Sequence, residues 1–338
     1  MKRLTILGAA LALLVGIGGG AEAADDFYKS KTIKMIMGGS PGGSYDNHAR
    51  ILARHLPRFI PGNPQIVVQA MPAAAGLVAT NHIYNIAAKD GTEIGLSNRY
   101  NLIAPMLGNE QARYKVEEMN WLGTTASYSD NAYLFVIRAS LPHKTIADMR
   151  NPALPALAVG NVGSAPIRIF EEALGVRLKV IEGYQGNDLD LAFERGEVDG
   201  HTIGYSNMLS RAPHWVEQNF VRIMVQSGRV DRLPALKDVP TARELTRNAE
   251  DLALVEFTEA PLMLAYPFVA PPGVPAERVA LLRKAFRDTT ADKEFQAEMV
   301  KSKMELSPKD GAEIQAIIDS LSKASPAVIA RYKNLTKQ

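Results

Sequence analysis

Apolar residues along this chain come in short runs that end in clusters of small and polar residues, and the runs alternate between two periods. Thr32 to Met37 (TIKMIM) has the compact apolar pattern of a strand. Gly38 to Ser44 (GGSPGGS) breaks it. Beyond the break Ala49, Leu52, Leu56 and Phe59 return every three to four residues, the spacing of one helix face, with Asp46 placed as N-cap. The same order repeats: Gln65 to Gln69 reads as a strand, Met71 to Gly76 as a small-residue turn, Leu77 to Ala88 as a helix, and Glu93 to Ser97 as a third strand. Three such units predict an α/β fold with a mostly parallel sheet covered by helices on both faces.

From Trp121 to Arg138 the pattern turns to extended apolar stretches with a polar break at Ser127 to Asn131, which suits a crossover into a second lobe. The alternation then restarts. Ala156 to Val159, Leu178 to Ile181, Val198 to Ile203 and Val221 to Gln226 read as strands. Ile167 to Leu174, stopped by Gly175, and Leu189 to Glu194 read as helices. Leu262 to Val269 returns as a strand, Ala276 to Arg287 is a helix with Pro275 near its first turn, and two further helical segments follow. The simplest assembly is two lobes, each a mostly parallel sheet flanked by helices, joined by two hinge crossings. Residues 24–126 plus 258–338 make the first lobe and 127–257 the second.

The first residues carry a different signal. Lys2 and Arg3 precede an uncharged apolar run, Leu4 to Ile17, and Ala21-Glu22-Ala23 is an A-x-A site. This is the pattern of an export signal, residues 1–23, cleaved after Ala23. The apolar run is too short for a membrane span, which needs roughly 20 residues. The expected location is the periplasm, with no membrane span in the mature form.

Composition narrows the chemistry. The formal charge is +2, from 38 Lys and Arg against 36 acids, so no basic field for nucleic acid exists. With no Cys there is no disulfide, thiolate nucleophile or cysteine-held cluster. The six His (48, 55, 82, 143, 201, 214) show no zinc-binding spacing, and neither a metal nor a cofactor is expected. Gly38-Gly39-Ser40-Pro41-Gly42 satisfies the G-x-S-x-G pattern of a serine hydrolase, which makes a periplasmic hydrolase using Ser40 the alternative function. That reading meets an obstacle at Pro41, because the residue after the nucleophile must donate its N–H to the oxyanion and proline has none. A phosphate loop fails too, since Ser44 stands where lysine is required.

What remains is a set of small-residue loops at strand ends, 38 to 46, 71 to 77 and 160 to 166, each opening a helix. Unpaired amides at a helix N-terminus bind anions without a formal positive charge. In open α/β sheets such loops gather around a ligand beyond the carboxyl ends of the strands.

The order of these features resembles the Bug-type receptors of tripartite tricarboxylate transporters. Ser40-Pro41-Gly42-Gly43-Ser44-Tyr45-Asp46 followed by Ala49-Arg50 is similar to the family's first loop, P-A-G-G-x-x-D and a helix with Arg. Ala73-Ala74-Ala75-Gly76 stands where the family has G-A-G-G. Lys89-Asp90-Gly91-Thr92, Gly196-Glu197-Val198-Asp199, Arg229 through Thr241 and Phe268 to Pro275 resemble its later motifs in the same order. The resemblance implies a two-lobed fold like the type II periplasmic binding proteins, and a receptor, not an enzyme. Such a receptor closes on a di- or tricarboxylate or an aromatic carboxylate and delivers it to the membrane subunits of a secondary transporter. A ligand-sensing receptor for a signalling system is the other alternative.

On this reading one ligand carboxylate sits on the backbone of Gly42, Gly43, Ser44, Tyr45 and Asp46 and of Ala74, Ala75 and Gly76, assisted by Ser40 and by waters. Ser97 and Asn98 line the same wall. Asn161, Ser164 and Ala165 contribute from the second lobe, Tyr205 or Tyr184 shapes the cleft, and Arg99 or Arg168 is a partner for a second carboxylate, Arg168 also reading as a solvated helix residue.

Overall fold

A computed structural model describes residues 27–160, 166–184 and 186–336. The signal-like segment 1–23 and the loop residues Asn161, Ser164 and Ala165 lie outside them. The chain runs β1 (Thr32–Met37), α1 (Ser44–His55), β2 (Gln65–Ala70), α2 (Leu77–Asn85), β3 (Glu93–Leu96) and β4 (Asn120–Thr124). It continues through β5 (Tyr133–Arg138), α3 (Ile146–Arg150), β6 (Leu157–Gly160), α4 (Pro166–Leu174), β7 (Leu178–Ile181), α5 (Gly186–Arg195), β8 (Gly200–Gly204), α6 (Tyr205–Arg211), α7 (Pro213–Glu217) and β9 (Val221–Ser227). It closes with α8 (Ala249–Glu259), β10 (Pro267–Ala270), α9 (Ala276–Ala291), α10 (Lys293–Lys301), β11 (Lys309–Asp310), α11 (Gly311–Leu321) and α12 (Pro326–Thr336).

Two sheets form, in the orders β11-β4-β10-β3-β1-β2 and β7-β6-β8-β5-β9. Apart from the short β11, each order is the same plan, read from opposite ends. Parallel strands occupy one side of each sheet. One antiparallel strand enters from the other lobe: β10 between β3 and β4, β5 between β8 and β9. Both sheets are therefore mixed, parallel where βα units follow one another and antiparallel where the chain returns across the hinge.

Register sets up the functional end. Met37, the last residue of β1, lies opposite both Ala70 and Leu96, the last residues of β2 and β3. The three loops that follow start at one level. In β1, Met35 and Met37 pack with Leu52 of α1 and with Leu56 just beyond it, and Ile36 packs with Leu77 and Ile83 of α2, so both faces are buried. In the second sheet Phe135 and Ile137 pack with Phe170 of α4, and Leu134 and Val136 with Phe193 of α5 and Trp215.

The polar break at 127 to 131 is a crossing, and it runs beside the return segment: the Ala265 N–H donates to Ala126 O at 3.1 Å and the Tyr128 N–H to Leu262 O at 3.2 Å. Residues 262–264, expected as strand, instead end a 3-10 turn, Ala260–Leu264, and β10 begins only at Pro267. Pro261, the second residue of that turn, fixes φ there and removes an N–H. The chain crosses once more after α11. Ile314 and Ile318 belong to the first lobe's core, but Leu321 and Tyr332 join the second lobe's core, and α12 packs on α4 and α8. The sequence assigned all of 258–338 to the first lobe, whereas this last helix straps onto the second.

Candidate functional site

The first loop is held open by its own hydrogen bonds. The Gly42 N–H donates to Asp46 Oδ2 at 2.9 Å, and the Gly43 N–H donates to Ser40 O at 3.2 Å. Arg50 Nε donates to the same Asp46 carboxylate at 2.9 Å. Burial opposes ionisation of Asp46, but Arg50 and the Gly42 amide outweigh it and hold its carboxyl below the ordinary value. Asp46 is not the N-cap that the spacing suggested. Gly43 occupies that position without a side-chain bond, and Asp46, the third helical residue, reaches back to the loop. The Gly42 and Gly43 amides are thereby spent internally. The donors left are the Ser44, Tyr45 and Asp46 N–H groups, which have no acceptor among the described residues, at the positive end of a 12-residue helix. Ser40, Gly42, Gly43 and Ser44 around them are exposed.

The second loop adjoins the first. Ala74, Ala75 and Gly76 are three successive left-handed residues, with φ of 51°, 52° and 80°. Gly76 donates its N–H to Pro72 O and Ala73 O at 3.1 Å, so of the three expected amides only those of Ala74 and Ala75 lack an acceptor among the described residues, and both residues are exposed. Ser97 lies behind this loop. It is fully buried, its hydroxyl 2.9 Å from Thr80 Oγ1, which in turn donates to Gly76 O at 3.2 Å. Asn98 is half-buried and spends its side-chain oxygen on the Tyr100 N–H.

Tyr45 bridges the loop to the hinge. Its hydroxyl donates to Ala265 O at 3.1 Å and accepts the Arg99 N–H at 3.2 Å. Of the second-lobe candidates, Tyr205 and Tyr184 are half-buried and pack against the core that includes Phe193 and Trp215. Arg168 pairs with Glu182 at 3.1 Å, both partly exposed, as a solvated helix residue does.

Beneath the loops lies a buried polar group that the sequence did not single out. Glu305 is 5% exposed; Asn131 Nδ2 donates to its Oε1 at 2.5 Å, across the lobes, while its Oε2 has no partner. Burial pushes its carboxyl up to about 7, against the pull of Asn131 and Arg99. His48 is likewise buried. It stacks on Tyr266 at 3.7 Å and shares a 2.8 Å hydrogen bond with Thr125, and burial pushes it down to about 3, which keeps it neutral. No periodicity marks Glu305; it sits in an irregular segment, and only the tertiary fold brings it to Asn131.

Ser40 has no hydrogen bond to a histidine among the described residues, and Pro41 offers no oxyanion donor. One set of three metal-type ligands is present among them, His55, Asp292 and Glu294. Arg58 already fills it, donating to Glu294 at 2.5 Å, pairing with Asp292 and lying 2.8 Å from His55 Nδ1. The cation there is the guanidinium. No helix among the described residues is long and apolar enough to cross a membrane.

Residues 49–334 match the family model described as tripartite tricarboxylate transporter family receptor. A protein of Cupriavidus necator, the UPF0065 protein in the gbd 5' region, is 26% identical over 304 residues, spanning 84% of this chain and 82% of its own. Among solved structures, a TctC solute binding protein from Polaromonas superposes with a TM-score of 0.66 at 18% identity, over 91% of this chain and 98% of that one. MatC from Rhodopseudomonas palustris with bound malate gives 0.61 at 17% identity, over 91% and 99%.

Proposed function

Because the chain belongs to the tripartite tricarboxylate transporter family of receptors, we propose that it binds a small organic acid between its lobes and hands it to the membrane subunits of a secondary transporter. Members of this family are receptors and not enzymes, so the acid leaves chemically unchanged. The observation that carries the reading is the run of unpaired amides at Ser44, Tyr45 and Asp46, beside the exposed Ala74 and Ala75 of the adjoining loop. Such a cradle suits a carboxylate, because peptide N–H groups and the helix dipole supply positive potential without the desolvation cost of a lysine. Malate in a protein of the same fold is an acid of the proposed kind.

Closure follows from the two adjacent crossings: a ligand that touches both lobes only when they approach favours the closed form by its differential contacts. The affinity is then on the order of micromolar, about 8 kcal/mol. On this reading residues 1–23 are the cleaved export signal, and N-terminal sequencing of the secreted protein would begin at Ala24. Thermal unfolding against a panel of di- and tricarboxylates and aromatic acids tests the function. A ligand at 100 times its Kd adds about 2.7 kcal/mol of stability. No shift with any acid would refute the proposal.

A further inference from the structure

Between α10 and β11 the first lobe lays a short irregular segment, residues 302–308, against the first crossing, and the contacts along this seam are polar. Ser307 Oγ accepts the Ser127 N–H at 2.8 Å and donates to Ser127 O at 2.9 Å; Lys309 pairs with Asp130 at 3.2 Å, and Lys303 Nζ donates to Ser210 O of α6 at 3.2 Å. Glu305 is the buried centre of the seam. Asn131 Nδ2 donates both to Glu305 Oε1 and to Ser206 Oγ, each at 2.5 Å, and Asn131 O accepts from Arg229 Nη1. One amide therefore joins a first-lobe carboxyl to α6, the helix that follows β8 in the second lobe. Any change in the angle between the lobes alters what surrounds Glu305.

Three other elements bring titratable groups to it: Tyr128 from the crossing, Tyr266 from the return segment and Arg99 from the turn after β3. His48, stacked on Tyr266, is neutral, and Lys303 and Lys309 are engaged as described. Arg99 has one long side-chain contact, from Nη1 to Ala265 O at 3.4 Å, makes no ion pair among the described residues, and favours the ionised Glu305 from a distance. Burial outweighs that pull, and Oε2 has no hydrogen bond among the described residues. A carboxyl so balanced changes protonation on a modest change of field. Tyr266 ties it to the acid site, for it interacts both with the Ser44 side chain at the start of α1 and with Glu305, and its ring lies 5.0 Å from that of Tyr45. An anion on the α1 amides adds negative charge near Glu305 and offsets Arg99, while closure of the lobes removes water. All three effects favour the protonated carboxyl. One negative charge about 10 Å away, at an effective dielectric constant of about 20, raises a carboxyl's proton affinity roughly tenfold.

We infer that Glu305 is a proton site coupled to the acid site: the receptor takes up a proton there as it closes on its ligand, so that capture of the acid weakens as the medium becomes alkaline. The inference deepens the organic-acid reading and rests on it. The proton comes from solvent, the O–H bond of Glu305 is the one bond formed, and release of the acid returns the proton.

The test is calorimetry with malate, adipate and benzoate, all ionised above pH 7, on the mature natural protein and on Glu305→Gln. Titrations at pH 7.5 in HEPES and in Tris, whose heats of ionisation differ, count the protons exchanged. The natural protein should take up about half a proton per acid bound and lose about fivefold in affinity from pH 7 to pH 9. Glu305→Gln keeps an acceptor for Asn131 and mimics the protonated carboxyl. It should take up none, hold its affinity across that range, and bind about fivefold or more tighter than the natural protein at pH 9. A natural protein that takes up no proton, or a variant that keeps the natural pH profile, overturns the inference and leaves the receptor reading standing. If the natural protein binds none of the three acids, the receptor reading itself fails and this inference with it. Should Glu305→Gln not fold, infrared difference spectra of the natural protein at pH 8 decide, with the acid labelled by 13C at its carboxyl so that its own bands are set apart. A protonated-carboxyl band gained by the protein on binding supports the inference, and its absence overturns it.

Discussion

The carbonyl oxygen of Gly38 lies 2.4 Å from where a Cβ on Gly76 would stand, so the first two loops touch backbone to backbone. Gly76 also holds a φ of 80°, so a side chain there is strained as well as blocked. Gly76→Ala should destabilise the protein by about 3 kcal/mol or more and separate the loops. Urea unfolding measures the first effect and loss of acid-induced stabilisation the second. A variant that matched the natural protein in both would show that the contact is not required.

Ala74 and Ala75 invite the opposite change. Both sit in the left-handed region, with φ of 51° and 52°, where a Cβ is unfavourable. Relief of that strain exceeds the entropy that glycine adds to the unfolded chain, so Ala74→Gly and Ala75→Gly should each stabilise by about 0.5 kcal/mol. Thermal unfolding of the single and double variants checks the sign.

Gly43 separates folding from binding. Its φ of −82° is open to any residue, and a Cβ would meet only Ser40 O, at 3.2 Å. Gly43→Trp should fold with a melting temperature within about 3 °C of the natural protein while losing at least about tenfold in acid affinity, by crowding the Ser44–Asp46 amides. Undiminished affinity would count against the amide cradle.

Glu305 gives a pH dependence with a definite sign. Its carboxyl is held up at about 7 in the folded protein, against 4.5 ordinarily. Between these values the folded state keeps a proton that the unfolded state releases, so this group's stability contribution falls as pH rises from about 4.5 to about 7, by about 3 kcal/mol in all. His48, neutral when folded, works the other way, since its contribution is lost as pH falls from 6.5 toward about 3. The diagnostic is therefore the difference between the natural protein and Glu305→Gln across pH 4.5 to 7.5. That difference should shift in favour of the glutamine variant as pH rises, and a constant offset would contradict the assignment.

Much of the architecture was legible because its signals are local. β1 and β7 occupy the expected residues, and the polar break at 127 to 131 is a crossing. The errors have local causes too. Asp46 precedes a helical run and looked like a cap, but the helix starts two residues earlier, at Ser44. Leu262 and Leu264 are apolar because they are buried at the hinge, a reason that composition shares between a strand and a 3-10 turn. Ser97 was placed on the cleft wall for following a strand, yet its side chain is turned inward to Thr80.

The sequence by itself settled the alternation of strands and helices, the two lobes, and the first two small-residue loops that open helices, since each depends on the periodicity and backbone freedom of neighbouring residues. Only the tertiary structure decided which amides in those loops stay unpaired, that α12 reaches the second lobe, and that Arg99 lacks a carboxylate partner while Glu305 meets Asn131. Those facts depend on groups far apart in the chain, Tyr45 with Ala265 or Asn131 with Glu305, which come together only when the crossings bring the lobes side by side. Whether a polar atom is satisfied depends on everything packed around it, and that surrounding is not written in any short stretch of sequence.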